Sequence, residues 1–365
     1  MSIPPVPVRI KLLFAYLGFI LLVTCGTIIA LTQTPSSPAS QTPTAIAIGT
    51  QAPISVVTSA PTPTSEAVLA APTETLTVDL PVVMVSPTIT PIPTEPPAPQ
   101  TVRFAVIGDY GWSGQAEADV AGLVINWQPD IIITTGDNNY PIGAQNTIDE
   151  NIGQYYHSFI NPYLGSYGPG ADQNRFFPSL GNHDWLATDA QPYLDYFSLP
   201  GNERYYEFTW GPVHFFTLNS DGHEPDGVNS SSTQAAWLQA GMAAAGEPWK
   251  IVYMHHPPYS SGVHGSVTWM RWPFQEWGAT AVLSGHDHTY ERILLDGFPY
   301  FVNGLGGGPI YAFSTIVSGS QIRYNRDYGA MLVEADEASI TFNFYRRTGE
   351  LIDTYTINIG EAGSD

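Results

Sequence analysis

The chain has 365 residues, with 33 acidic against 12 basic side chains and a formal net charge of −21. That length allows one large or two ordinary domains, and so acidic a chain repels phosphate backbones, which excludes nucleic-acid binding through a basic face. A single cysteine excludes an internal disulfide framework.

In chain order, the first element is Leu12 to Leu31, twenty residues without a charge, preceded by Arg9 and Lys11. As a helix it would span about 30 Å, the thickness of a bilayer's hydrocarbon core. Basic residues on its N-terminal side predict that residues 32–365 lie outside the cytoplasm. Three fates of residues 1–31 stay open. The leading one is an uncleaved membrane anchor. The second is a lipoprotein signal with Leu22-Val23-Thr24-Cys25 as its lipobox, and the third a cleaved signal peptide, although no small-x-small site closes the apolar run. All three export the protein.

Residues 32–100 hold 14 Pro and 14 Thr, one Gly and no Phe, Tyr or Trp. Such a stretch has little to bury against the entropy of ordering its backbone. Its Thr-Pro units, such as Thr42-Pro43 and Thr90-Pro91, predict a disordered, extended stalk. All nine Trp follow residue 100, so the folded domain is expected over 101–365, long enough for a buried core.

That domain opens as a β-α-β unit: an apolar run Val102–Gly108, helical spacing over Gln115–Trp127, then β-branched Ile131–Thr135. Further helices are expected around Thr147–Ile160 and over Thr233–Ala244. Strand patterns recur at Tyr205–Trp210, Val213–Leu218, Trp249–Met254, Thr280–Ser284 and Tyr300–Asn303. Ala330–Glu334, Ile340–Arg346 and Leu351–Ile357 alternate and predict antiparallel strands. The class is α/β, with two packed sheets of mixed strand direction.

The residues just beyond each apolar run are the informative feature. The runs end in Gly108-Asp109-Tyr110-Gly111, Gly136-Asp137-Asn138-Asn139-Tyr140, Gly181-Asn182-His183-Asp184, Met254-His255-His256-Pro257-Pro258 and Gly285-His286-Asp287-His288. Ligands bind beyond the carboxyl ends of strands in open α/β sheets. Each motif alone has a plainer reading: a turn, a helix cap by Asn182 or Asp184, a rigid strand exit. Together they carry Asp, Asn, Tyr and His to one edge, and six of the nine His lie in or just after them. Carboxylate, phenolate, amide oxygen and imidazole without thiolate suit iron, manganese or zinc. The donors exceed the needs of one ion, so a two-metal site with a shared carboxylate is expected, as in in-line displacement at phosphorus. A phenolate donor favours Fe(III) in one position.

These five blocks, in this order, resemble the purple acid phosphatases, in their short, tartrate-resistant form, within the calcineurin-like metallophosphoesterases; the likeness spans about residues 102–357. Most other metallophosphoesterases carry Asp-x-His in the first block and lack the tyrosine, whereas here Gly111 and Tyr140 depart together. The resemblance implies a sandwich of two mixed β-sheets flanked by helices, with the metal site at the strand ends. It implies that Asp109, Tyr140 and His288 hold Fe(III), that Asp137 bridges, and that Asn182, His255 and His286 complete a site for Fe(II), Zn(II) or Mn(II). His183 matches the family's phosphate and leaving-group histidine, and His264 a second active-site histidine, while His256 packs or orients its neighbour. The implied activity is acid hydrolysis of small phosphate monoesters by metal-hydroxide attack, with membrane attachment through the N-terminal segment and no protein partner. Neither the N-terminal β-sandwich of large plant members nor an animal-type disulfide is expected. Asn303-Gly304-Leu305-Gly306-Gly307-Gly308 lacks a following Lys-Ser/Thr and reads as a glycine-rich border of the site, not a phosphate loop. Trp269-Met270-Arg271-Trp272-Pro273 reads as core before pocket wall. The rival readings are a phosphodiesterase or nucleotidase on the same metals, and a tethered, non-catalytic binding module.

Overall fold

The computed structural model describes residues 101–360. The expected anchor at 1–31 and stalk at 32–100 lie outside the described residues. Among the described residues no helix is long and apolar enough to cross a membrane.

Two mixed sheets form the domain. The first runs β13-β12-β11-β1-β2-β3 and is built from β1 (Val102–Ile107), β2 (Ile131–Thr134), β3 (Phe176–Pro178), β11 (Gly329–Ala335), β12 (Ser339–Arg346) and β13 (Leu351–Asn358). The second runs β10-β8-β9-β7-β6-β5-β4, from β4 (Tyr206–Trp210), β5 (Val213–Thr217), β6 (Trp249–Tyr253), β7 (Ala281–Ser284), β8 (Tyr290–Leu295), β9 (Phe298–Asn303) and β10 (Ser320–Tyr324). Parallel pairing joins β1, β2 and β3 in one sheet and β5, β6, β7 and β9 in the other. β2, β7 and β9 are buried throughout, and β1, β5 and β6 at all but their second residue, which is why they read as largely apolar runs.

Aromatic side chains join the sheets. Phe104 meets Phe215 edge-on at 4.9 Å, Phe301 stacks on Phe342 at 4.8 Å, and Tyr290 on Phe344 at 3.9 Å. The β-α-β opening forms as expected, with α1 at Gln115–Trp127. The later helix at Thr233–Ala244 also keeps its expected bounds, and the Ser232 hydroxyl accepts the Ala235 N–H at 3.1 Å as its cap. Ser232→Ala is therefore expected to lower the unfolding free energy by about 1 kcal/mol in a urea titration.

The helix expected around Thr147–Ile160 is broken into a π-helical turn (Asp149–Gly153), one α-turn (Gln154–Tyr156) and a 3₁₀ turn (His157–Phe159). Two local demands explain the break. Asn151 is held by the loop beyond β2, its Nδ2 donating to Asn139 Oδ1 at 2.8 Å and to Tyr140 O at 2.9 Å. Gly153 faces the Asp149 carboxylate and the Tyr163 and Tyr196 hydroxyls so closely that a Cβ has no room. Wide turns of this kind recur beside functional sites.

Candidate metal centre

The elements place the polar residues by ending the parallel strands of both sheets at one edge. Asp109 and Asp137 follow β1 and β2, and His286 follows β7; all three adopt left-handed backbone, with φ of 53°, 53° and 68°. Such conformations in non-glycine residues cost about 1 kcal/mol or more and cluster where function demands them. Close approach sets the glycines between them. A Cβ on Gly285 would lie 2.5 Å from Asp109 Oδ2, and one on Gly308 would lie 2.8 Å from His288 Cε1. The glycine-rich run after β9 thus borders the cluster.

All seven residues expected as ligands come together. The Tyr140 hydroxyl lies 2.9 Å from Asp137 Oδ2, 3.3 Å from Asp109 Oδ1 and 2.9 Å from His288 Nε2. On the other side, His255 Nε2 lies 2.9 Å from Asn182 Oδ1, 3.2 Å from His286 Nδ1 and 3.4 Å from Asp137 Oδ2. One carboxylate oxygen of Asp137 therefore lies against side-chain donors of both groups, and the Asp109 carboxylate ties them again through the backbone N–H of His286 at 2.9 Å. Asp137 Oδ1 accepts the backbone N–H of His183 at 2.9 Å.

Main-chain carbonyls fix the imidazoles. Nδ1–H of His255 donates to Thr135 O at 2.9 Å, and that of His288 to Pro309 O at 2.6 Å, so each presents its Nε2 lone pair to the cluster. Metal-binding histidines characteristically donate their other N–H in this way. The donor set then has too few protons. One phenolic hydrogen cannot serve two carboxylates and an imidazole, and the facing nitrogens of His255 and His286 need either an N–H or a metal ion between them. Cations satisfy both groups, so the residues present fit a pair of metal ions. By proximity, Asp109, Asp137 and His288 form one set of candidate ligands, and His255 and His286 another, which also takes in His256, expected only to pack or orient its neighbour.

Burial alone would lower the basicity of His255, but the adjacent Asp137 and Asp109 carboxylates raise its pKa to about 10. Burial would push the Asp137 carboxyl up, yet His255 and His183 hold it far below the ordinary range. Burial and then Asp137 and Asp109 drive the Tyr140 hydroxyl well above 10. His286 is driven strongly down by burial and by the three histidines around it.

Three histidines outside the ligand set lie around it. His183 Nδ1–H donates to Pro141 O at 2.6 Å, turning Nε2 inward to 4.0 Å from Asp137 Oδ2. The His264 ring is centred 4.5 Å from that of His286 and 5.3 Å from that of Tyr311. His256 is buried, its Nδ1 3.0 Å from the Ser220 hydroxyl, and burial lowers its pKa to about 3. The tryptophan-rich segment divides: Met270 and Trp272 enter the core, whereas Trp269 stays half-exposed with its ring 6.0 Å from His256. Gly181 is the N-cap of the short helix Asn182–Trp185, and Asp184 in its first turn reaches back to accept the Gly181 N–H at 2.8 Å and the Asn138 amide at 2.8 Å.

Asp287 and Tyr311 carry roles that sequence reasoning missed. Asp287 is fully buried and accepts the His264 N–H at 2.9 Å, the Gly265 N–H at 3.1 Å and the Ser260 hydroxyl at 2.5 Å. It holds the loop that carries His264. Tyr311 stacks on His288 at 4.1 Å. The motif around Asp287 is plain in the sequence, but its partners lie more than twenty residues away and leave no local pattern. Asp287→Asn is expected to lower kcat/KM for a phosphoester by about tenfold, in line with the loss of one charge-assisted bond, and to add little when His264 is already Ala. A double-mutant cycle reads that coupling.

Two mixed sheets with metal-competent carboxylates and imidazoles at their carboxyl edge define the metallophosphoesterase class. The profile of the calcineurin-like phosphoesterase family matches residues 102–290, just over half the chain, and the chain belongs to that family. Among its relatives, purple acid phosphatase 15 of Arabidopsis thaliana is 28% identical over 233 residues, covering 55% of this chain and 42% of the plant protein. Human tartrate-resistant acid phosphatase type 5 is 27% identical over 246 residues, covering 57% of this chain and 74% of the human protein. A purple acid phosphatase from yellow lupin seeds superposes with a TM-score of 0.58 at 19% identity, over 71% of this chain and 54% of the lupin protein. The chain thus spans about half the length of these two plant proteins.

Proposed function

We propose that the chain is a binuclear acid phosphatase that hydrolyses small phosphate monoesters outside the cytoplasm. The observation that carries the reading is the Asp137 oxygen shared between the Tyr140 and His255 groups. Asp109, Tyr140 and His288 would hold Fe(III), Asp137 would bridge, and Asn182, His255 and His286 would hold Fe(II), Zn(II) or Mn(II). Two ions bound there supply charge for an anionic phosphoryl group and activate water. The chain's own residues do the rest. His183, oriented by Pro141 O, presents Nε2 as a proton donor toward a leaving oxygen. His264, held by Asp287 through its backbone, presents a second imidazole to the phosphoryl oxygens. The charge-free run at 12–31 supports export, with attachment to a membrane as its leading form.

The test is phosphate release by the metal-loaded full chain from an aryl phosphate monoester and from the matching diester. Faster monoester turnover, with an optimum in mild acid, is expected. Diester turnover alone would move the reading to a phosphodiesterase, and no turnover of either would leave a tethered binding module. Iron–phenolate charge transfer predicts a visible absorption band, which Tyr140→Phe should remove.

A further inference from the structure

We infer that the cavity beside Tyr140 receives a positively charged leaving group, making alkanolamine phosphates of the phosphocholine class preferred substrates; this rests on the phosphatase reading above. The cavity, about 270 Å³, is lined by Trp112, Tyr140, Pro141, Glu150 and Asn151, among others. Tyr140 belongs to both places. Its hydroxyl sits in the ligand cluster, and its ring packs at 5.5 Å and 46° against Trp112. The cavity also borders His183, the residue proposed to face the leaving oxygen: that ring is centred 4.5 Å from the Tyr140 ring and hydrogen-bonded to the O of Pro141, and Tyr140 and Pro141 both line the cavity.

Its lining has one kind of chemistry. Trp112 is 49% exposed and offers an indole face. Asn151 has spent its amide on Asn139, Tyr140 O and the Ser113 N–H, and the Thr147 hydroxyl is held by Asn139 and Ala144 O. Among the described residues, Glu150, exposed on the π-helical turn, supplies the only charge of the lining, which includes no Lys, Arg or His. Glu150 forms no ion pair among the described residues. An exposed indole and an unpaired carboxylate attract an ammonium group, and the aromatic contribution is largest for tryptophan. The same carboxylate repels a second phosphate, so polyphosphates fit poorly. The larger cavity, about 390 Å³, also holds aromatic rings and a carboxylate, but includes no residue of the ligand cluster. Its Glu207 is paired with His214 Nε2 at 3.1 Å.

The test compares kcat/KM of the metal-loaded full chain for phosphocholine, for its uncharged isostere 3,3-dimethylbutyl phosphate, and for phenyl phosphate. Phosphocholine should exceed its isostere by about tenfold, the size of one cation–aromatic contact with a charge nearby. Glu150→Gln and Trp112→Leu should each draw that ratio toward one. Equal values for the two alkyl esters, with phenyl phosphate turned over, overturn the inference and leave the phosphatase reading intact. Turnover of none of the three defeats the phosphatase reading itself. Calorimetry then decides the cavity: choline binding that Glu150→Gln weakens supports it, and no binding of choline overturns it.

Discussion

Asp137→Asn is expected to reduce phosphate release roughly a thousandfold and to leave the purified chain with fewer than two metal ions. The substitution keeps shape and removes charge, which is what makes it informative. The backbone N–H of His183 donates to Asp137 Oδ1, so the amide of the variant must keep its oxygen there. Its NH₂ then replaces Oδ2, the atom that lies between Tyr140 and His255. A shared acceptor becomes a donor at the place where two bound ions would each need a lone pair. Metal analysis beside kinetics checks this; a variant with two ions and the parent rate would sink the shared-carboxylate reading.

Phe301→Ala should have the largest effect on stability, a loss of about 3–5 kcal/mol. Phe301 is fully buried on β9 and stacks across the sandwich on Phe342 of the other sheet. The sheets cannot close over the gap without moving strands that end at the ligand cluster. The urea midpoint should fall with little change in its slope. Substituting the exposed Ile359 should shift stability by no more than about 0.5 kcal/mol. Comparable losses at the two positions would contradict a core shared by both sheets.

Much of the site is legible in the amino-acid sequence because its logic is local. A buried parallel strand is an unbroken apolar run, and the switch to Gly-Asp or Gly-Asn-His marks where it leaves the sheet. Asp109, Asp137, Asn182, His255 and His286 each stand at such a switch. The expected class, two mixed sheets with helices, holds for the same reason. Other features escaped because they depend on distance, or because a signal was passed over. The strand Tyr290–Leu295 pairs with Phe298–Asn303 through Asp296-Gly297, both with positive φ, and Asp-Gly between apolar runs is a strong hairpin signal. The break in the helix expected near Thr147 comes from contacts of Asn151 and Gly153 with residues elsewhere in the chain, which periodicity does not register. The Asp287 clamp and the Trp112–Tyr140 cavity likewise join segments that only the fold brings together.

The anchoring of the imidazoles on main-chain oxygen bears on how such a centre changes over generations. Thr135 O, Pro309 O and Pro141 O aim His255, His288 and His183, and no codon change deletes a carbonyl. The aim of these rings is thereby insulated from drift in the side chains around them. Loops at the rim, such as the one bearing Trp112, remain free to vary. A lineage can then try new leaving-group preferences by surface substitution while the hydrolytic machinery stays in register, and a protein engineer could use the same division of labour.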